Sequence, residues 1–373
     1  MKSIRNNRGV ALPLAIFALV IIGAMVAGSF FIGTQEQRIG RNTVGSQQAF
    51  QAAEYGAQLT AATWNSQVMN ALAVGSTATI GGALSGNQGW YRGEVRRLNN
   101  MLFLVRSEGF SADSMSRQQV GLLIRLRPIE ITIAAALQTQ GDLKIGGSSF
   151  INGYDVAPTG WSNCPALESP LPGISMADSS GIETPGCNDL SCVTGDPKIL
   201  EDSTISDSSL TTFGDVTFDG LRDLASKIVL GGTLKIEPSI VGGACATGSV
   251  TNWGSPLDPT GPCGNYFPVV WSEGDLKING VQGQGVLIVN GDLSVQGNFE
   301  FFGPVIIKGT LSTTGTGGHF NGGVIAANVS LEQNDVLGNA VINYSSCAIL
   351  RVLNASASGA LLRERSWINL YGQ

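Results

Sequence analysis

The feature that most constrains this chain is a run of 23 residues without a charged side chain, from Val10 to Ile32. It reads VALPLAIFALVIIGAMVAGSFFI and follows the short basic leader MKSIRNNRG. A helix needs roughly 20 apolar residues to cross a bilayer, so this run is long enough. The leader contains Lys2, Arg5 and Arg8 and no acidic residue, which predicts a cytoplasmic N-terminus and an external location for residues 33–373.

Two other interpretations of this segment remain open. A secretory signal has an apolar core of roughly 7–15 residues followed by a small-residue cleavage site. The core here is longer, although the small residues within 24–27 could form such a site. A single-pass anchor that is never cleaved is the second alternative.

The first 60 residues resemble a known family. Residues 8–60, which read RGVALPLAIFALVIIGAMVAGSFFIGTQEQRIGRN and then QQAFQAAEYGAQ after a short interval, are similar to the N-terminal domain of PilX-type minor pilins of bacterial type IV pili. The resemblance implies cleavage after Gly9 by prepilin peptidase and methylation of the new N-terminus, Val10. It also implies a stay in the inner membrane, followed by assembly with other pilin subunits into a filament at the cell surface.

One position departs from the pattern of major pilins. Those proteins carry Glu at the fifth mature residue, where its carboxylate is thought to neutralise the N-terminal amine of a neighbouring subunit, and this chain has Leu14 there. Because a buried unpaired charge is costly, a subunit without this acid fits best at a filament tip or as a scarce component. The K-type minor pseudopilins of type II secretion also lack it, so the choice between pilus and pseudopilus stays open, as does drift without positional meaning.

Composition favours an extracellular protein over a cytosolic enzyme. The formal charge is −6, or −9 without the three basic leader residues, which argues against general nucleic-acid binding. Local contact with DNA at a filament tip stays open. Only 13% of residues are charged and 50 are glycine, a composition typical of β-rich extracellular proteins.

The six cysteines predict disulfides rather than a metal site. All of them follow the apolar run, no close CxxC pair occurs, and the chain has a single histidine. Six cysteines allow 15 pairings. We expect Cys245–Cys263, which closes a loop rich in Pro and Gly, and Cys164–Cys187, which leaves Cys192–Cys347 by elimination.

The first third of the chain is predicted to be a long helix followed by a small antiparallel sheet. The helix is expected over residues 10–72, with its outer half presenting a face made of Phe50, Ala53, Ala57, Ala61 and Trp64. After a glycine-rich loop at 74–89, alternation predicts three strands within 73–128, at Trp90–Arg97, Met101–Phe110 and Gln118–Arg127. This arrangement resembles the pilin architecture.

A repeat of short strands fills the rest of the chain after Pro128. Segments such as GDLKI and GDLSV recur, and from Gly274 the steps between equivalent positions are 17, 18, 18 and 18 residues. A fixed period with turn glycines predicts a parallel, right-handed β-helix over residues 129–353. One inward stack is expected to contain Leu276, Leu293, Leu311, Val329 and Cys347. Insertions are expected at 154–224 and 242–267, and residues 354–373 are expected to cap the coil. The predicted fold class is therefore α+β.

Residues with possible chemistry have a structural explanation in each case. Asp142, Asp275 and Asp292 share one phase and could bind Ca²⁺ if stacked, but Gly-Asp is first a turn dipeptide. His319 lies in a glycine-rich loop, and no phosphate-binding loop or nucleophile elbow occurs. We expect neither catalysis nor a cofactor or metal. Trp161, Trp253, Tyr266, Phe267 and Trp271, in or beside the insertions, are expected to pack the loops rather than bind surface glycans.

The sequence therefore predicts a non-enzymatic minor pilin of a type IV pilus or pseudopilus that promotes assembly or attachment. Glu36, Arg38 and Arg41 follow the apolar run and are expected to be solvated, with pairing to a neighbouring subunit as an alternative. A membrane-anchored β-helical adhesin or polysaccharide-binding protein is the main alternative, followed by a polysaccharide-active enzyme. A bactofilin-like polymer is disfavoured by the cysteines and the leader.

Overall fold

The computed structural model describes residues 11–127, 129–166, 168–187, 190–214, 216–362 and 366–369. The leader, the junction of Gly9 and Val10, and Pro128 lie outside the described residues. The chain divides into two compact units. The first contains Met1–Thr63, Val74–Arg125 and Leu361–Gln373, and the second contains Trp64–Ala73 and Leu126–Ala360.

The described residues form four α-helices and 29 strands, most of them short. The helices are α1 (Ala11–Ala62), α2 (Ser66–Met69), α3 (Asp207–Leu210) and α4 (Ser346–Ser356). The strands are β1 (Thr77–Ala83), β2 (Trp90–Arg97), β3 (Leu102–Phe110), β4 (Arg117–Arg127), β5 (Leu137–Thr139), β6 (Leu143–Ile145), β7 (Phe150–Asn152), β8 (Ile174–Met176), β9 (Ile182–Glu183), β10 (Val193–Thr194), β11 (Ile199–Glu201), β12 (Thr212–Phe213), β13 (Val216–Thr217), β14 (Lys227–Val229), β15 (Gly232–Ile236), β16 (Ile240–Val241), β17 (Ala244–Cys245), β18 (Val269–Ser272), β19 (Leu276–Gly280), β20 (Gln282–Gln284), β21 (Val286–Val289), β22 (Leu293–Gln296), β23 (Glu300–Ile307), β24 (Leu311–Thr314), β25 (His319–Ala326), β26 (Asn334–Val336), β27 (Val341–Tyr344), β28 (Ser358–Leu361) and β29 (Trp367–Asn369). The predicted α+β class, with a long N-terminal helix and mixed sheets, is confirmed.

Helix α1 has 52 residues and is about 78 Å long at 1.5 Å per residue. It ends at Ala62, ten residues earlier than predicted, because the chain leaves the helix there and a second helix begins after Asn65. The side chain of Asn65 accepts a hydrogen bond from the Val68 amide and starts the short helix α2. Pro13 lies in the first turn of α1, where its missing N–H costs nothing.

The first unit is an antiparallel sheet packed on the outer half of α1. Its strand order is β1-β2-β3-β4, with β29 paired to the far side of β4. Strands β2, β3 and β4 lie within one residue of the predicted bounds, because alternating apolar residues define them. The prediction was wrong about the glycine-rich loop, which contains β1, and about the chain end, since β29 extends this sheet instead of capping the coil.

The helix meets the sheet through a row of small residues, which we call the small-residue seam: Ala49, Ala52, Ala53, Gly56, Ala57 and Thr60. Their spacing of three and four residues places them on one face of α1. A Cβ atom on Gly109 of β3 would lie only 2.1 Å from the Ala49 carbonyl oxygen, so strand and helix backbones are in direct contact. Of the predicted face, Ala53 and Ala57 are buried, whereas Phe50 is exposed.

The second unit contains two parallel sheets, and from β21 to β27 the strands of the chain alternate between them; we call one passage through both sheets a coil. One contains β18, β21, β23 and β25 as successive neighbours, and the other contains β19, β22, β24 and β26. Leu276, Leu293 and Leu311 align in register and are buried, as the repeat predicted. The next position in the stack is Asn334, because β24 pairs with β26 at a spacing of 23 residues, as in Ser312 opposite Asp335.

The longer spacing comes from an extra turn at 328–332. Asn328 has a left-handed backbone (φ 45°), and its side chain bonds both the N–H and the carbonyl of Glu332. Val329 is therefore 39% exposed rather than stacked. Asn334 replaces it as a buried amide that accepts from the Leu311 N–H and donates to the Thr139 hydroxyl.

The stack does not follow chain order. Strands β5, β6 and β7 pair with β25, β26 and β27, so the first coil lies beside the last one. Strands β8, β9 and β10 pair in parallel with β5, β6 and β7, and β11 pairs with β8. The strands within 174–201 therefore belong to the parallel sheets. The predicted insertion at 154–224 was wrong for this part, because strands of two or three residues leave no periodic signal. The hairpin β16–β17 begins at Ile240, two residues before the predicted insertion at 242–267, and turns follow it.

Helix α4 covers one face of the parallel sheets. It buries Ala348, Ile349, Val352 and Leu353. The side chain of Asn70 donates to the carbonyls of residues 354, 355 and 357 and so caps the end of α4. Cys347 lies in this helix, not in the predicted inward stack.

Candidate functional site

The inner half of α1 is the candidate functional site. From Leu12 to Ile32 its side chains are exposed on all sides of the helix, with Leu14 at 65% and Phe30 at 73%. The most apolar 18-residue window has a mean hydropathy of 2.6 and is not buried at all. By length and composition this helix can cross a membrane, although such a helix near an N-terminus passes the same test when it is a signal sequence.

A helix that is apolar on every side must lose its contact with water, either in lipid or among other helices. Glu36, Arg38 and Arg41 are the first charged residues after this surface, and all three are exposed. The small-residue seam begins at Ala49, about two turns after Arg41, so one continuous helix carries an unpartnered apolar half and a packed half. No acid lies at Leu14, as the sequence already showed.

The six cysteines form three disulfides. Cys245 pairs with Cys263, the pairing that the loop predicted. The other two differ from expectation: Cys164 pairs with Cys347 across 183 residues, and Cys187 pairs with Cys192 across five. The stack explains the long bridge, because the first coil, which leads into Cys164, neighbours the last coil, which leads into Cys347.

The loop that carries Cys164 is fixed to the start of α4. Asp155 accepts hydrogen bonds from the amide and hydroxyl of Ser346. Arg351 donates to the Ser162 carbonyl at 2.5 Å and lies 4.7 Å from the Trp161 ring centre. Sequence reasoning could not see these contacts, because they depend on which coils are neighbours.

The aspartates of the Gly-Asp repeats form turn contacts between coils. The Asp275 carboxylate accepts the Asp292 N–H at 2.9 Å, and the Asp292 carboxylate accepts the N–H and hydroxyl of Thr310. A Cβ on Gly291 would lie 2.4 Å from the Asp275 carboxylate, which explains the glycine that precedes Asp292. Among the described residues no group of three His, Cys, Asp or Glu side chains could hold a metal ion.

His319 lies at the start of β25, and one ring nitrogen is 3.9 Å from a Glu300 carboxylate oxygen. Its other ring nitrogen is 3.3 Å from the Asn339 carbonyl oxygen. His319 therefore contacts the strand that begins at Glu300 and the turn at Asn339.

The aromatic residues of the insertions pack against the coil, so the glycan-binding alternative for them was wrong. Trp161, Trp253, Tyr266, Phe267 and Trp271 are all less than 9% exposed. Burial raises the pKa of Tyr266 to about 12. It also lowers the pKa of Lys227, whose ammonium donates to the carbonyls of Thr247 and Ser249 and thereby holds the 242–267 loop.

Sequence reasoning missed a basic surface on the first unit. We call it the arginine face, on the side of the sheet that points away from α1: Arg92, Arg96, Arg106, Arg117 and Arg125, with Leu102, Leu104 and Leu123 between them. Charged residues at every second position of β2 were the available signal. The first unit therefore has a basic patch, which the sequence-based expectation from net charge had excluded.

Comparisons with known proteins add little to this geometry. No protein-family model matches the chain, and no curated protein matches it. Among solved structures, the crystal structure of the competence-associated pilin ComZ from Thermus thermophilus is similar at 14% identity and a TM-score of 0.26, over 87% of this chain and 97% of that one. A TM-score this low does not establish a shared fold.

Proposed function

We propose that this protein is a minor pilin of a type IV pilus or a related pseudopilus, with a role in filament assembly, surface attachment or both. The proposal rests on the structure of α1. One unbroken helix joins an apolar half exposed on all sides to a half packed on an antiparallel sheet through the small-residue seam. Such a helix can move from lipid into a bundle of similar helices while its folded unit stays outside.

The proposed sequence of events begins at the inner membrane. Prepilin peptidase cleaves after Gly9, Val10 becomes the methylated N-terminus, and the helix then packs against other pilin subunits. Because Leu14 supplies no carboxylate for a neighbour's ammonium, the subunit occupies the tip or a rare position rather than the repeating shaft.

The second unit is, in this proposal, a parallel β-helix displayed on the outside of the filament. The successive parallel pairings of β18, β21, β23 and β25 support it, together with the matching row β19, β22, β24 and β26. The disulfides suit an oxidising compartment outside the cytoplasm. We propose a binding or structural role for this unit and no catalysis.

Filament fractions test this function. Cells that express the chain with an epitope tag are sheared, and the filaments are purified and separated from membranes. We expect the tagged chain in the filament fraction, and fewer filaments in a strain that lacks it. A chain found only in the membrane fraction, together with normal filament numbers in the deletion strain, would favour the anchored adhesin instead.

The enzyme alternative has its own test. Purified chain is assayed on a panel of acidic and neutral polysaccharides, beside a variant with Asp275→Ala and Asp292→Ala. Depolymerisation by the native chain and not by the variant would contradict the proposed function. Binding without depolymerisation would fit attachment.

A further inference from the structure

The two units of this chain carry opposite charge. Residues 74–125 contain six arginines, no lysine and three acidic residues. Residues 126–360 contain nine basic and 22 acidic residues, a net charge of −13. The formal charge of the whole chain therefore hides a basic first unit and a strongly acidic second one.

The arginine face has the composition of a protein interface. Interfaces are enriched in arginine and depleted in lysine, because guanidinium groups bind carboxylates bidentately and lose little hydration. Leu102, Leu104 and Leu123 are half-buried at its centre, and Arg96 and Arg125 are exposed beside them. Neither of these two arginines has an ion pair to a described residue, whereas Arg92 and Arg117 pair with Glu108 and Arg106 pairs with Glu94.

One feature of this face favours a protein over a nucleic acid. The three leucines offer apolar contact area that phosphates cannot use. Glu94 and Glu108 are paired with arginines of the same face. An acidic protein surface with an apolar centre would match the arginines and the leucines.

The second unit presents such a surface at the outer end of its stack. Strands β9 and β11 are edge strands among the described residues, because each pairs on one side only. Acidic residues lie along and beside them, and we call this set the acidic edge: Asp178, Glu183, Glu201 and Asp202. One of the four, Glu183, pairs with Lys144 at 3.5 Å. Leu200, in the middle of β11, is 38% exposed.

We infer that the arginine face of one copy of this chain binds the acidic edge of a second copy. Such a contact is heterologous, since it joins two different surfaces. Its strength depends on salt, because most of the charges involved are at least partly exposed. The carboxylates of the edge also discourage unwanted strand pairing, and the two roles are compatible.

Two complementary charge reversals test the contact. The face variant carries Arg96→Glu and Arg125→Glu, and the edge variant carries Glu183→Lys and Glu201→Lys. The control variant carries Arg38→Glu and Arg41→Glu, which makes the same charge change on α1 as the face variant makes on the sheet. Each full-length chain is purified in detergent and its association is measured by sedimentation velocity at low and high salt.

We expect the native chain and the control to associate at low salt and to dissociate at high salt. Each reversed variant alone should associate at least about tenfold more weakly, since like charges then face each other. An equal mixture of the two variants should regain association, because one variant keeps its acidic edge and the other keeps its arginine face, and because the reversed face and the reversed edge again carry opposite charges.

Several outcomes would overturn the inference. The native chain could be monomeric at every concentration, or its association could ignore both salt and the reversals, as contact through α1 within a micelle would. The mixture could stay monomeric. Binding of a DNA duplex that only the face variant loses, without any self-association, would assign the arginine face to nucleic acid. Circular dichroism melts of all variants should match the native chain, so that misfolding does not imitate a lost contact.

Discussion

The contact between Gly109 and helix α1 allows a quantitative test of the first unit. In Gly109→Ala the new Cβ would lie 2.1 Å from the Ala49 carbonyl oxygen and 2.2 Å from the Ala53 nitrogen, where ordinary contact begins at 3.4 Å. Both obstructing atoms belong to backbone, so the strand and the helix must separate by about 1 Å. A gap of that size loses roughly a quarter to a half of the dispersion energy of the lining atoms.

Overpacking of this kind costs about 1–3 kcal/mol, and a rigid backbone obstruction belongs at the upper end. We therefore expect a loss of about 3 kcal/mol in the first unit. Because each 1.4 kcal/mol is a factor of ten, amide hydrogen exchange in β3 should become about 100-fold faster. The parallel strands β21 to β23 should exchange at their native rate.

Gly40→Ala is the matched control for this experiment. Gly40 also belongs to the first unit, but a Cβ there has nothing within 4 Å. Alanine favours the helix by about 0.5–1 kcal/mol over glycine, so exchange in β3 should be unchanged or slower. Native exchange rates in β3 of the Gly109→Ala variant would refute the direct backbone contact between helix and sheet.

Three further predictions concern the membrane helix, the disulfides and the 242–267 loop. Val20→Arg should cost about 3 kcal/mol of membrane insertion and move the chain out of the membrane fraction, whereas Gln47→Arg, beyond the apolar run, should not. Replacing both cysteines of a disulfide by serine should lower the free energy of unfolding by about 5 kcal/mol for Cys164–Cys347, about 3 kcal/mol for Cys245–Cys263 and about 2 kcal/mol for Cys187–Cys192. The order follows from the loops that the bridges close, which span 183, 18 and five residues. A different order in thermal melts would contradict the loop-closure argument. Burial raises the pKa of Tyr266 to about 12, so its contribution to stability is complete below pH ~10 and is lost as the pH rises toward 12. The melting temperature of Tyr266→Phe should therefore depend less on pH in that range than the melting temperature of the native chain. An equal pH dependence of the two would mean that the phenol is not buried.

Local patterns were sufficient to predict the elements with a strong period. The 23 uncharged residues predicted the inner part of α1, and alternation placed β2 at its observed bounds, Trp90–Arg97. Strand β1 was not predicted, because it contains two glycines and glycine is typical of turns. The end of α1 was not predicted either, because the cap at Asn65 depends on one side-chain hydrogen bond.

Long-range arrangement could not be derived from the same patterns. The repeat predicted which residues face inward, such as Leu276 and Leu293, but not that the coil at 137–152 lies beside the coil at 324–344. The pairing of Cys164 with Cys347 depends on that order. The arginine face was not predicted for another reason. The net charge of −6 is a sum over the whole chain, in which the acidic second unit outweighs the basic first one.

The mass of the mature N-terminus tests the central claim most directly. The chain is isolated from membrane and filament fractions of cells with an active prepilin peptidase, and its N-terminal peptide is measured by mass spectrometry beside that of Gly9→Ala. We predict a native chain that begins at methylated Val10 in both fractions, and a variant that keeps its leader and stays in the membrane. A native chain that begins at Met1 everywhere, or one trimmed near residue 28 and released, would contradict the proposal that this helix is a pilin helix.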